Sequence, residues 1–419
     1  MTDPMPRFAR IALVSAHPGP LAGPDGPDAG GPHGYVAQLA GCLARRGHDV
    51  TVYTRRDRPD RPTLVRNESG VKIVHVPAGP PVSVPRDELL AWMPEFGAYL
   101  ARLWRLNRPD VVHAHHWTSG VAALTGARDA GVPVVQTYHA LGTVERRHRG
   151  GADTEPPERV GIETRIAREA RRTVATCADE LNELSAMGVP RTRISVVPWG
   201  VDTGHFAPVP LAARPPGAPH RLLVVGGLDR RAGADRAIEA LTGVPGTELL
   251  IAGGPAAPVL YTDPDAERLR KAASEHGVAE RVRLLGRVPR SLMPHLMSSA
   301  DLFLSLPRHE PSAVVAAEAM ACGVPVVATA VGGQLDTVVD GVTGTLVPAS
   351  DDEGHDLAVT IRGLLDDPVR RSRYGAAGRA HALARFSWDE VTDAISRVYA
   401  EVVPADRPQE MARGVRPVR

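Results

Sequence analysis

The sequence predicts an α/β protein of two doubly wound domains that face each other across a cleft. Val- and Ile-rich apolar runs recur along the chain, each followed by a stretch with helical spacing. The runs are near-continuous rather than alternating, which suits parallel strands covered by helices on both faces. The pattern stops at a Pro-rich segment without periodicity, 206–219, and then starts again. At 419 residues the chain has room for two such domains.

The first domain is expected over 1–205. Its strands read as ARIALVSA, HDVTVYTR, VKIVHVP, PDVVHAHH, VPVVQTYHA and TVATC. Between the first two, GYVAQLAGCLARRG reads as a helix stopped by Gly47. The linker FAPVPLAARPPGAP follows, and the second domain, 220–384, repeats the pattern in RLLVVGGL, TELLIAGGP, RVRLLGRV, ADLFLSLP and VPVVATAV. From Asp356 to Val403 the chain reads as helical with a break near RFSWDE. Its last piece, 385–403, is expected to pack back on the first domain, and the polar tail 404–419 to be disordered. Ligands of doubly wound sheets sit beyond the carboxyl ends of the strands. Two facing domains therefore offer one side of a cleft to each of two substrates.

Composition narrows the function classes. A formal net charge of +1 gives no bulk attraction to nucleic acid, and at most a peripheral membrane contact is expected. Only Lys72 and Lys271 are lysines; arginine carries the rest of the positive charge. Cys42, Cys177 and Cys322 are odd in number and form no CxxC, so they read as buried reduced thiols of a cytoplasmic protein. The apolar run near the N-terminus is too short for a signal or membrane segment. A homodimer is possible but not specified.

The chemistry concentrates in RHEPSAVVAAEAMACGVPVVAT. A strand ending near Pro307 leads to Glu310 and Pro311, and proline suits the first turn of a helix that would run to Gly323. Glu318 lies eight residues past Glu310, on the same side of that helix and two turns along. The free amides at the helix start, at Ser312, Ala313 and Val314, suit a phosphate oxygen.

These residues resemble the retaining glycosyltransferases of family 4, which have the two-domain GT-B fold. The resemblance extends through DAGGPHGYVAQLAGCLARRGHDVTVYTRR, VVHAHHWTSG, VVQTYHALGTVERRH, the hinge-like SVVPWGVDTGHF and DGVTGTLVP. It is nearest the mycothiol-pathway and sucrose-phosphate-synthase-like members. It implies transfer of a sugar from a nucleotide-sugar donor to a small-molecule acceptor, with no cofactor beyond that substrate and no metal. By resemblance Glu310 approaches the donor sugar, Glu318 binds the nucleotide ribose, and His139 lies beside the transferred sugar. Gly30 and Gly31 approach the diphosphate, where the missing Cβ allows close backbone contact. Retention is then front-face attack, with the departing phosphate helping to remove the acceptor proton.

Two apparent metal motifs read otherwise. Asp263-Pro264-Asp265 opens a helix, so Asp263 is expected to cap it. His113, His115 and His116 lack a carboxylate or cysteine cluster nearby, and His116 is expected to face the acceptor. By resemblance Arg86 and Arg159 fall where an acceptor phosphate would be contacted, and VERRHRG adds a basic loop; a solvated basic loop is an equal reading.

The turn VVGGLDRRAGAD departs from the family pattern. Gly227 and Ala232 stand where an arginine and a lysine embrace the donor diphosphate, and Ala313 stands where a glycine is usual. Three readings stay open. Arg230 or Arg231 replaces the lost cations; the leaving group differs; or the protein is a degenerate relative that binds without transfer.

Overall fold

The computed structural model describes residues 9–17, 32–149, 155–212, 215, 217–349 and 357–403. Two Rossmann-like α/β units carry the chain. The first holds β1 (Arg10–Val14), β2 (Asp49–Arg55), β3 (Leu64–Arg66), β4 (Lys72–Val76), β5 (Val111–His115), β6 (Val134–Thr137), β7 (Arg172–Ala175) and β8 (Ile194–Val196). Their order is β3-β4-β2-β1-β5-β6-β7-β8, parallel except for β3 against β4. Around them lie α1 (Pro32–Arg45), α2 (Met93–Leu106), α3 (Trp117–Ala127), α4 (Gly142–Arg149), α5 (Arg159–Glu169) and α6 (Ala178–Ala186).

The second unit holds β9 (His220–Val225), β10 (Thr247–Ala252), β11 (Val282–Gly286), β12 (Leu302–Ser305), β13 (Val326–Thr329) and β14 (Gly344–Val347), all parallel in the order β11-β10-β9-β12-β13-β14. Its helices are α7 (Ala234–Leu241), α8 (Pro264–Glu275), α9 (Met293–Ser298), α10 (Val314–Ala321), α11 (Gln334–Thr337), α12 (Leu357–Leu365) and α13 (Pro368–Phe386), followed by α14 (Trp388–Val402).

Alternation along each strand divides the apolar side chains between two layers. In β1, Ile11 and Leu13 join Tyr35, Val36 and Leu39 of α1, while Ala12 and Val14 join Phe96, Leu100 and Trp104 of α2. In β9, Leu222 and Val224 pack with Ile238 and Leu241 of α7, while Leu223 packs with Ala316, Ala317 and Met320 of α10. The final helix belongs to the first unit's core: Val391, Ile395, Val398 and Tyr399 of α14 lie in one cluster with Ile11, Val111 and Val135. Cys42, Cys177 and Cys322 are buried free thiols. Among the described residues, no helix is long and apolar enough to cross a membrane.

Three strands escape the sequence pattern. β3 and β8 are three residues long, and β14 carries Gly344 and Thr345 in place of bulky side chains. Gly344 packs so tightly that a Cβ there would stand 2.4 Å from the Val326 carbonyl oxygen. The C-terminal helical region breaks at Ser387, whose hydroxyl accepts from the Glu390 amide. It also breaks at Asp367, which caps α13 ahead of Pro368.

The chain crosses between the units twice, side by side. The Val201 amide donates to the Phe386 carbonyl at 2.6 Å, and Val201 bridges to Ser387. Gly200 lies flat against Trp388: a Cβ at this position would come within 2.5 Å of the indole. Gly200→Ala must therefore displace the indole. Overpacking of this kind costs about 1–3 kcal/mol, so urea unfolding should show a lower midpoint. An unchanged midpoint would mean that Trp388 moves aside freely.

Candidate active site

Adjacent strands β5 and β6 pair in parallel register, His115 beside Thr137, so both deliver their carboxyl ends to one edge. The backbone there turns sharply. His116 has φ 72° and His139 has φ 66°, while Ala313, just before α10, has φ 48°. Among the described residues these are the only non-glycine positions with positive φ. An L-residue held there costs roughly 1–2 kcal/mol. All three are positions singled out from the sequence. Ala313 also explains why glycine suits its place: the obstacle is backbone conformation before it is side-chain bulk.

His139 is almost wholly buried. Tyr35 of α1 meets it edge-on at 5.2 Å and Trp199 edge-on at 5.3 Å, while His115 stacks beside it at 5.3 Å. His115 Nδ1 lies 3.1 Å from His139 Nε2. Behind them His113 touches the His115 ring at 4.2 Å and is held by the Tyr399 hydroxyl and Thr137 Oγ1, each at 2.8 Å. Burial pushes His113 down to about 3 and His115 well below the ordinary imidazole value, so both are neutral at pH 7. The half-buried His116 contacts Thr118 through Nδ1 at 3.2 Å.

Arg159 is placed differently from the acceptor-phosphate expectation. Its guanidinium is buried, donating through Nε to Glu163 at 2.7 Å and through Nη2 to the Ala140 carbonyl at 2.6 Å, with Glu155 at 3.4 Å. Glu163 also accepts from the Gly142 amide at 2.9 Å. Burial raises the Glu163 carboxyl, and Arg159 opposes that rise. Two carboxylates already neutralise this cation, and its visible work is to clamp the backbone just after His139. Arg86 opens a 3-10 turn, Arg86–Trp92, and its side chain lies outside the described residues, as do Gly30 and Gly31.

The Glu310 loop corrects a second expectation. The helix begins at Val314, not at Pro311, because Ala313 adopts the left-handed conformation. Glu310 Oε1 accepts from the Ser312 amide at 3.1 Å, the Ser312 hydroxyl at 3.2 Å and the Ala313 amide at 3.0 Å. The amides of Ser312 and Ala313 are thus engaged by the chain's own carboxylate. Those of Val314 and Val315, in the first turn, have no intrahelical acceptor. Glu318 is buried and paired with Arg290 at 2.7 Å; burial raises its pKa and Arg290 lowers it. Arg290 also lies over the Phe206 ring at 4.7 Å. Sequence reasoning missed Arg290, which sits 28 residues from its partner with no motif around it. It also missed Gly332 and Gly333, although the dipeptide was a signal. Gly333 donates to the Glu310 carbonyl at 2.7 Å, and a Cβ on Gly332 would stand 2.2 Å from that oxygen.

The turn after β9 is docked on the strand end beside it. Gly233, with φ 83°, caps α7, and a Cβ there would lie 1.9 Å from the Leu306 carbonyl oxygen. The Arg308 amide donates to the Arg231 carbonyl at 3.0 Å. Arg231 is held by Asp229: its amide and Nε reach Oδ1 at 2.8 and 3.2 Å. Arg230 is exposed and, among the described residues, pairs with none. Arg268 of α8, another residue outside any motif, ties the Leu228 carbonyl to Asp235 from below. Asp263 caps α8, accepting from the Ala266 amide at 2.8 Å.

The two units meet over this site. Val314 packs against the cluster that contains Tyr35 and Trp199. Thr176 Oγ1 donates to the Pro311 carbonyl at 3.2 Å, and the Ala178 amide donates to Asp336 at 2.6 Å. His148 of α4 stacks on His309 at 4.4 Å and 9°.

Two outcomes follow. Ala313→Gly removes the left-handed strain, and after glycine's extra unfolded-state entropy is subtracted the gain is about 0.5–1 kcal/mol; a thermal midpoint below wild type would contradict this. His113 has a folded pKa below its ordinary 6.5, so its stabilisation is present above that value and is lost as the pH falls toward about 3. The stability gap between wild type and His113→Phe should narrow by about 1.4 kcal/mol per pH unit below 6.5. A constant gap in urea titrations from pH 7 to 5 would refute this.

Comparison with known proteins agrees with the geometry. Residues 29–205 match the model of Glycosyltransferase Family 4, and residues 213–381 match that of Glycosyl transferases group 1. The chain is 38% identical over 416 residues to D-inositol 3-phosphate glycosyltransferase 1 of Catenulispora acidiphila, covering 95% of this chain and 97% of that one. It is 36% identical over 421 residues to the D-inositol 3-phosphate glycosyltransferase of Xylanimonas cellulosilytica, covering 95% and 98%. Among solved structures it resembles sucrose-phosphate synthase from Thermosynechococcus elongatus, with a TM-score of 0.81 and 28% identity over 94% of this chain and 98% of that chain. Two Rossmann-like units and these matches along nearly the whole length make the chain a member of the family 4 glycosyltransferases, of GT-B fold.

Proposed function

We propose that this glycosyltransferase moves a sugar, with retention, from a nucleotide-sugar donor to a phosphorylated small-molecule acceptor of the cyclitol class. The relatives named above are called D-inositol 3-phosphate glycosyltransferases. The observation that carries the reading is the packing of Val314, first residue of α10, against the cluster containing Tyr35 and Trp199, the two rings that hold His139. In this reading the start of α10 belongs to the donor side and lies near the rings that hold His139.

In this reading Glu318 takes the ribose hydroxyls and Glu310 the hydroxyls of the donor sugar. Amides at the start of α10 face the diphosphate, and His139 orients the sugar. The bond from the anomeric carbon to the phosphate oxygen breaks while the bond to the acceptor oxygen forms on the same face. The acceptor proton passes to the departing phosphate oxygen. Preorganised amides and cations stabilise the charge that develops there. No metal or separate cofactor enters the scheme, and the reaction is placed in the cytoplasm. His116 and Arg86 are the acceptor-side candidates. Arg159 is assigned to the loop clamp, since its charge is already paired with Glu163 and Glu155. For the cations absent at Gly227 and Ala232, Arg230 is the readier substitute. Arg231 must first leave Asp229.

The test is transfer from a panel of nucleotide sugars to inositol phosphate and to inositol, with the product's anomeric configuration read by NMR. A retained-configuration glycoside of the phosphate is expected. No transfer, no donor hydrolysis and no thermal shift with any nucleoside diphosphate would overturn the reading. Charge-assisted contacts are worth roughly 1.5–3 kcal/mol, so Arg230→Ala should weaken nucleoside diphosphate binding about tenfold or more in calorimetry. Unchanged affinity in both Arg230→Ala and Arg231→Ala would remove these residues from the donor site.

A further inference from the structure

The first unit is fastened to the Glu310 loop beside a buried carboxyl that the scheme above does not use. Glu180 lies in the first turn of α6 and is buried. Glu163 and Glu318, also buried, each pair with an arginine. Among the described residues Glu180 pairs with none. Its Oε2 meets the Thr176 amide at 2.6 Å and the Thr176 hydroxyl at 2.7 Å, and its Oε1 is buried with no hydrogen-bond partner. The same hydroxyl lies 3.2 Å from the carbonyl of Pro311, the residue after Glu310 in the second unit. A hydroxyl carries one proton. An ionised Glu180 can only accept, so it competes with the Pro311 carbonyl for that proton, and its charge gives it the stronger claim. A neutral Glu180 brings a proton of its own. It donates from Oε2 to Thr176 Oγ1, still accepts from the Thr176 amide, and leaves the hydroxyl proton to Pro311.

We propose that Thr176 and Glu180 are positioning residues for Glu310, fastening its loop to the first unit while Glu180 is neutral and releasing it when Glu180 ionises. The inference rests on the reading of Glu310 as a ligand of the donor sugar. Burial pushes the Glu180 carboxyl up to about 7; the two bonds from Thr176 oppose the rise, and Glu163 and Asp179 add to it. The neutral form, and with it the bond to Pro311, therefore prevails below that value and is lost as the pH rises through it. The groups around Glu180 are Glu163 of α5 with its partner Arg159, Tyr138 after β6, Cys177 and Asp179 on its own segment, and Asp336 of α11 beside Cys177. Burial raises Tyr138 and pushes the Cys177 thiol up to about 12, so both are neutral near pH 7. The one cation in this set, Arg159, is already engaged by Glu163. The bond from the Ala178 amide to Asp336 does not involve this proton, so the release is confined to the Glu310 loop. His148 stacks on His309, the residue before Glu310. Protonation of that pair would push the units apart as the pH falls, which is the opposite sign.

Hydrogen exchange of the full-length protein tests this without any substrate. It is read by mass spectrometry on peptides holding Ser312, Ala313 and Gly333, whose amides bond to Glu310, after correction for the intrinsic pH dependence of exchange. Loss of one hydrogen bond to the loop should speed exchange about threefold to tenfold. Wild type and Thr176→Ser should be slow at pH 6 and faster by that factor at pH 8. Thr176→Val should be fast at both, and Glu180→Gln should show one rate at both. A pH response that survives in Glu180→Gln, or Thr176→Val exchanging like wild type at pH 6, overturns the proposal. So does slower exchange at pH 8 than at pH 6 in wild type, which would assign the titration to His148 and His309. In the transfer assay above, Thr176→Val should lose about threefold to tenfold in kcat/KM for the donor at pH 6 and match wild type at pH 8; equal losses at both would reduce Thr176 to packing. Glu310→Gln separates the two levels. If it transfers sugar at the wild-type rate, the reading of Glu310 fails, while the exchange rates still decide whether Thr176 and Glu180 hold its loop.

Discussion

The positive-φ backbone at His116, His139 and Ala313 is the constraint around which the cleft is arranged. Each residue lies where a chain segment must turn within one or two positions of a strand end or helix start. Each is strained by roughly 1–2 kcal/mol, and the strain persists only because the surroundings leave no relaxed alternative. At His139 the surroundings are the Tyr35, Trp199 and His115 rings and the Arg159 clamp on Ala140. Around Ala313 they are the bonds from Ser312 and Ala313 to Glu310 and the close approach of Gly332 and Gly333 to the Glu310–Ser312 loop. The cores of both sheets hold these loops in place, so the stability of the fold is spent in part on the shape of the site.

Charge is arranged with the same economy. The buried guanidinium of Arg159 is matched by Glu163 and Glu155, and Arg290 by Glu318. Glu310 occupies the amides of Ser312 and Ala313 that an anionic ligand would otherwise use. A phosphate oxygen and the Glu310 carboxylate repel each other and compete for the same donors. In the proposed scheme sugar hydroxyls offer Glu310 an alternative set of hydrogen bonds, and a glutamate drawn toward them releases the amides for the diphosphate. On that reading one residue links recognition of the sugar to recognition of its leaving group.

Much of this was legible in the sequence, for identifiable reasons. Long strands such as LLVV and VVHAH announce themselves because both faces are buried. The glutamate pair and the strand-end histidine stood out through the resemblance to family 4, since their spacing alone did not single them out. The short edge strands β3, β8 and β14 did not, since three or four residues carry no period. The start of α10 was misplaced because proline suits a first helical turn, whereas the Glu310–Ser312 loop that precedes Ala313 is pinned by Gly332 and Gly333, some twenty residues along the chain. Arg159 illustrates the same limit. Its type and place suited an acceptor phosphate, but Glu163, one turn on, claims it. Arg290, Arg268 and the His115 contact are pairings between distant segments, and no local pattern encodes those.

The turn after β9 shows how such pairings change the meaning of a motif. Gly227 and Ala232 remove two cations from it, yet its shape is enforced as tightly as any part of the fold. Gly233 lies against Leu306, Arg268 holds Leu228 and Asp235, and the Arg308 amide fastens Arg231 to the strand end that leads to Glu310. Here geometry is retained while two cations are absent, and on the proposed reading Arg230 and Arg231 are the side chains that replace them. The turn can still present backbone and cation to an anion, with the cation supplied by neighbouring side chains whose engagement depends on how firmly Asp229 holds one of them.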